Sequence, residues 1–162
     1  MKLGDFGTFV IFTALYAAGS LGLPEITLMA YQVRVAEMPT AFVAIFGLPA
    51  VFGLVLGQFI ANLGFHVAPL QMLSPLIALS GLGIVYYLRK SSVLGGLVAY
   101  VLLTSAWVSY VLITIYDVAG DAAVMSALAG QIVAVGVGYV GYRVATAAVP
   151  HSQKPPTTGF PH

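Results

Sequence analysis

Long apolar stretches constrain this chain more than any other feature of its sequence. Residues 6–23, 39–65, 69–88, 93–116 and 122–144 form runs of 18, 27, 20, 24 and 23 residues with almost no charge. A helix needs about 20 apolar residues to cross about 30 Å of hydrocarbon, so these lengths predict an all-α integral membrane protein. Charge agrees: only 7% of the residues are charged, six Lys/Arg against five Asp/Glu. Soluble domains carry roughly 25%, and a chain this poor in charge cannot cover a water-facing surface. The net charge of +1 is scattered along the chain and offers no footprint for nucleic acid. Cysteine is absent, which excludes disulfides, thiolate nucleophiles, zinc–thiolate sites and iron–sulfur clusters.

Residues 6–23 read as a retained first membrane helix rather than a removable signal, because Pro24 and Glu25 follow without a cleavage site in a polar setting. The stretch 39–65 is either one long kinked span or two short helices broken near Gly47-Leu48-Pro49. Basic residues decide between them. One span gives five helices and sets Arg89 and Lys90 opposite Lys2 and Arg143. Two spans give six helices and gather Lys2, Arg89, Lys90, Arg143 and Lys154 on one side, which the positive-inside rule makes cytoplasmic. The sequence therefore predicts a multi-pass protein of the cell membrane, with six transmembrane helices and both termini cytoplasmic. Its second helix is short, about 10 residues, and such a segment survives only within protein or along a cavity. Glu25, Arg34 and Glu37 fall in the outer first loop, Asp117 and Asp121 in the last. The membrane domain spans residues 1–149, and the polar, proline-rich tail 150–162 is expected to be disordered.

Small residues recur at four-residue spacing: Ala14 and Ala18; Gly53, Gly57 and Ala61; Gly130, Ala134 and Gly138. They permit close approach of helices, within the bundle or against another membrane subunit.

Polar residues inside membrane helices carry more information, because they need not be there. Gln58 and Asn62 share one face of the third helix. At 1.5 Å per residue, Asn62 lies about 5 Å and Gln58 about 10 Å below its outer end. On the fifth helix Tyr110 is about 9 Å and Trp107 about 14 Å deep, and Gln131 on the sixth is about 14 Å deep. One outward-open pocket, roofed by a first loop carrying Arg34 and Glu37, accounts for them together. Bonding between helices, interfacial anchoring and a solvated ion pair are the alternatives. Such a pocket suits a flat polar heterocycle stacked on Trp107. A carboxylate accepts the adjacent N–H and exocyclic amine of a guanine-like face, while amides serve its carbonyl and ring nitrogens. No nucleophile with its base is present, His66 stands alone in the folded part, and no pair of facing histidines could ligate haem. The chain is therefore read as no enzyme, with no cofactor and no metal.

The segment Gln32-Val33-Arg34-Val35-Ala36-Glu37 resembles the Gln-x-Arg-x-x-Glu motif of the queuosine-precursor transporter family. The run from Pro49 to Leu63, with its Gly and Ala-Asn-Leu pattern, is similar to the helix that follows there. Leu88-Arg89-Lys90 and Gly130-Gln131 through Tyr142-Arg143 fall at corresponding places, and the likeness covers most of residues 8–147. It implies a substrate-binding S subunit of an energy-coupling-factor transporter, with six helices and a small-molecule pocket near the outer face. It further implies binding roles for Gln32, Arg34, Glu37 and Asn62, docking of the coupling subunit at Ala14 and Ala18, and partnership with an ATPase pair. The chain departs from the family pattern at Gln131, where Glu is usual, and at Gln71, near which an acid is usual. Both changes remove negative charge, which favours the neutral 7-cyano-7-deazaguanine over the cationic 7-aminomethyl-7-deazaguanine.

The expected function is capture and inward delivery of such a 7-deazaguanine base. No Gly-rich Walker segment is present, so energised uptake needs the coupling transmembrane subunit and the ATPase pair. Two alternatives stand beside it: an S-type subunit for another vitamin-like heterocycle, or an accessory subunit of a membrane complex without a ligand.

Overall fold

The computed structural model describes residues 3–22 and 35–148. Gln32, Arg34 and the tail 150–162 lie outside these residues. Every regular element described is helical. In chain order they are α1 (Leu3–Leu21), α2 (Val35–Phe46), α3 (Leu48–Gly64), α4 (Gln71–Leu88), α5 (Val93–Tyr116) and α6 (Gly120–Ala148). The first eight residues of α2 and the first three of α4 are wound as 3₁₀-helix. By length and composition α1, α4, α5 and α6 can each cross a membrane, whereas α2 and α3 are shorter apolar helices.

The break inside 39–65 falls at Gly47, whose φ of 69° is open to glycine and costly for other residues. Pro49 then opens α3 within its first turn, where its missing N–H costs nothing. α2 and α3 form a hairpin, not a kinked rod, as their contacts with α1 show. Gly19 near the end of α1 abuts Ala36 at the start of α2, while Phe12 lies 5.4 Å, ring to ring, from Phe46 at its end. α2 thus runs back along α1. On α3, Gly53 meets Phe9 and Phe12, Gly57 meets Thr13 and Tyr16, and Gly64 meets Leu21, so α3 runs parallel to α1.

α4 and α5 pair antiparallel, Gly81 against Tyr100 and Gly96 against Val85. Between α5 and α6 the hydroxyls of Ser105 and Ser109 donate to the carbonyls of Ala127 and Ala123, each at 3.4 Å. The neighbours close a ring in the order α1, α3, α4, α5, α6, α2. Leu3, Gly47, Arg89 and Ala148 lie at one end of it, since each hairpin reverses the chain. Arg89 marks that end: its guanidinium sits 3.9 Å from the Tyr86 ring centre and beside Gly47.

Apolar attraction cannot drive association among lipid tails, so fit between helices must. A methyl added at Gly57 would lie 2.7 Å from the Thr13 carbonyl oxygen, and one at Gly138 would lie 1.9 Å from that of Met38. Two of the three small-residue rows therefore act inside the bundle. The third does not: Ala14 and Ala18 are exposed on the outer face of α1 with Val10, Ile11 and Leu15. Hydroxyls at Thr13, Thr104 and Ser109 satisfy themselves on carbonyls one turn back.

Glu37 corrects the expectation for the first loop. It stands in the first turn of α2 and is 1% exposed, inside the bundle rather than on a roof. The second helix begins four residues before the apolar stretch does. A carboxylate there reads as loop by hydropathy, yet the fold tolerates it because partners meet both oxygens.

Candidate functional site

Tyr16 on α1 donates its hydroxyl to Glu37 Oε1 at 2.8 Å, and Tyr100 on α5 donates to Oε2. Both phenols are buried, Tyr16 at 5% and Tyr100 at 1% exposure. Three helices thus meet on one carboxylate. In 3₁₀ winding, residues three apart eclipse one another, so Thr40 lies on the same face of α2 as Glu37. The buried Thr40 hydroxyl stands beside Tyr100 but outside hydrogen-bond geometry.

Two further amides are buried, on α3 and on α6. Gln58 follows Gly57, the residue seated against Tyr16, and its Oε1 is buried without a partner. Gln131 is one turn beyond Ala127, so the α5–α6 register sets it opposite Val101, next to Tyr100. It is 2% exposed, and neither its Oε1 nor its Nε2 has a hydrogen-bond partner among the described residues. Leaving a buried polar atom unpaired costs about 1–3 kcal/mol. Such atoms mark a place where a polar group from elsewhere would be stabilised.

A second polar group lies nearer the other end, and its members already bond one another. Asn62 Nδ2 donates to the Gln71 carbonyl at 3.2 Å. Tyr116 donates to Gln71 Oε1 at 3.0 Å, and the Trp107 indole donates to the Ser74 hydroxyl at 2.8 Å. These bonds tie α3, α4 and α5 together. Trp107 is part-buried, whereas Tyr110 is 50% exposed, its ring 5.8 Å from that of Trp107. His66 is exposed in the turn after α3, with its Nδ1 3.2 Å from the Gly64 carbonyl. Among the described residues no group of three or more His, Cys, Asp or Glu could hold a metal ion.

The sequence-derived set therefore divides by depth. Glu37 is held in the middle layer and Gln58 follows the glycine seated on Tyr16; Gln131 is buried on α6, two turns before the Gly138 that packs on Met38; Asn62 and Trp107 stand in the outer network; Tyr110 turns its ring outward. Tyr16, Thr40 and Tyr100 belong to the layer and escape sequence reasoning. Tyrosine and threonine are ordinary in membrane helices, and only the partner across the bundle gives them meaning. A signal was available for Thr40 alone, three residues beyond an acid in a segment rich in small side chains.

The QueT transporter family model matches residues 8–146. The chain belongs to that family. No curated protein and no solved structure matches it. Membership in a transporter family, together with four helices long and apolar enough to cross a bilayer, places a QueT-type carrier of a small molecule in a membrane. For a QueT family member, a buried polar layer between helices is a more natural place for a solute than for a reaction. Its chemistry is reversible hydrogen bonding, with one carboxylate and several amides and hydroxyls.

Proposed function

We propose that this chain is the membrane-embedded substrate-binding subunit for uptake of a queuosine or archaeosine precursor, a 7-deazaguanine base. One observation carries the reading: Glu37, Gln58 and Gln131, on three different helices, are all buried, and among the described residues both amides keep unpartnered polar atoms. In the proposed complex the Glu37 carboxylate accepts the ring N–H and exocyclic amine of the base. Gln58 and Gln131 serve its carbonyl and ring nitrogens. Trp107 supplies an aromatic plate above, flanked by Tyr110, with Asn62 toward the outer face; Gln32 and Arg34, outside the described residues, are proposed to add binding groups. Gln131 brings no charge, which favours the neutral cyano base over the aminomethyl one.

Six membrane crossings with both termini in the cytoplasm belong to the same proposal. So does assembly as an energy-coupling-factor S component in the cell membrane, with a coupling transmembrane subunit and an ATPase pair. Exposure of Ala14 and Ala18 on α1 supports docking of the coupling subunit there.

The accessory-subunit reading draws on Asn62 and Trp107, whose donors are already taken within the protein. Gln131 counts against it, because glue between helices would use its amide. Ligand-dependent stabilisation decides between them. A binder gains RT ln(1 + [L]/Kd), about 2.7 kcal/mol at a ligand concentration of 100 Kd. A rise in melting temperature with 7-cyano-7-deazaguanine, and recovery of a 7-deazaguanine by mass spectrometry of the purified protein, are expected. Another co-purifying heterocycle with no response to deazaguanines would replace the substrate, and no ligand at all would favour the accessory role.

A further inference from the structure

We infer that Tyr16 and Tyr100 are positioning residues that select a ligand edge with two adjacent N–H donors, by fixing the Glu37 carboxylate between them; the inference rests on the binding function proposed above. A carboxylate offers about four lone-pair sites, two on each oxygen. One site on each is occupied, on Oε1 by Tyr16 and on Oε2 by Tyr100. Among the described residues no other group bonds either oxygen, and the remaining site on each matches a bidentate donor edge: a ring N–H beside an amine.

The clamp also fixes the character of the group. Among the described residues, both contacts to it are donated hydroxyls. The phenols reach it from two separate helices, α1 beside α2 and α5 across the bundle, so it cannot swivel without losing one of them. A carboxylate free to turn would aim its open lone pairs in many directions and read edges poorly. Held as it is, it accepts twice from a guanine-type edge and only once from a hypoxanthine-type edge, which keeps the N–H but lacks the amine. A xanthine-type edge sets a carbonyl oxygen against it and is rejected. Unpaired buried groups of this kind cost on the order of tenfold in affinity apiece.

The test measures Kd for 7-cyano-7-deazaguanine and for its analogue without the 2-amino group, on the full chain in detergent. The proteins compared are wild type, Tyr16→Phe, Tyr100→Phe and Glu37→Gln. Wild type should prefer the amino base by on the order of tenfold or more. Each Phe variant should bind it more weakly and show a smaller ratio, and Glu37→Gln, with one acceptor and one donor, should bring the ratio close to one. A ratio of two Kd values does not change when only the folded fraction falls, so a purely structural role for the phenols would leave it at the wild-type value. That unchanged ratio in both Phe variants, with wild type binding and discriminating, overturns the clamp and spares the binding function. Failure of wild type to bind either base overturns the binding function itself.

Discussion

Gln131 shows what one buried side chain can report. A glutamine costs a membrane helix free energy unless its amide is paired, and here neither polar atom is paired among the described residues. Replacement by leucine, close in volume, should leave the ligand-free melting temperature unchanged or higher, because unpaired groups are removed and packing is kept. The same variant should lose most of its stabilisation by 7-cyano-7-deazaguanine; thermal unfolding with and without the base measures both. Retention of the full ligand shift would place the base elsewhere. Glu37 behaves differently. Glu37→Ala removes the acceptor to which two buried phenols donate, and a lost buried hydrogen bond costs about 1–3 kcal/mol, so the ligand-free protein itself should melt lower. Hydropathy could find Gln131 because an amide in a 23-residue apolar run is conspicuous. It could not find Tyr16 or Tyr100, whose role depends on a partner 21 and 63 residues away.

Helix boundaries were legible wherever one element is long and flanked by turn chemistry. The fifth helix, read as 93–116, is Val93–Tyr116 in the structure, with Ser92 accepting from the Gly95 N–H as its cap. The break at Gly47-Leu48-Pro49 was legible too, since Pro49 cannot continue a helix that is already under way. The start of the second helix was not, because its winding is 3₁₀ and its first turn carries an acid. Nor did spacing tell the two uses of small residues apart: Gly57 and Gly138 are clasped inside, Ala14 and Ala18 face out. Substitution separates them. Gly57→Ala forces a methyl to within 2.7 Å of the Thr13 carbonyl oxygen and the Tyr16 side chain. It should destabilise the detergent-solubilised protein by about 1–3 kcal/mol, seen as a lower melting temperature. Ala14→Leu with Ala18→Leu meets no such contact. It should spare melting temperature and base affinity while blocking uptake in cells, and unchanged uptake would remove α1 as the docking face.

At the scale of the whole molecule, six alternating helices explain how a chain with so few charges can bury a carboxylate. α2 is too short to span the bilayer unaided, yet it is bordered by α1 and α6 and supplies Glu37 to the interior. A segment of this kind is sheltered from lipid on its flanks, so its backbone and its acid need not face hydrocarbon. Sidedness then follows from charge. Arg89, Lys90 and Arg143 cluster toward the end shared by Leu3 and Ala148, and Asp117 and Asp121 lie at the other. The attraction of basic loops to the cytoplasmic side predicts which end is which. The sequence contains no cysteine, so single cysteines introduced at Lys90, Ala147, His66 and Asp121 can each be read without background. In intact cells a membrane-impermeant thiol reagent should label the cysteines at His66 and Asp121 and spare those at Lys90 and Ala147 until the membrane is opened. The opposite pattern would invert the protein and turn the proposed entrance toward the cytoplasm. Labelling of Lys90 together with Asp121 from outside would instead place the two ends of α5 on one side, which no six-helix alternation permits.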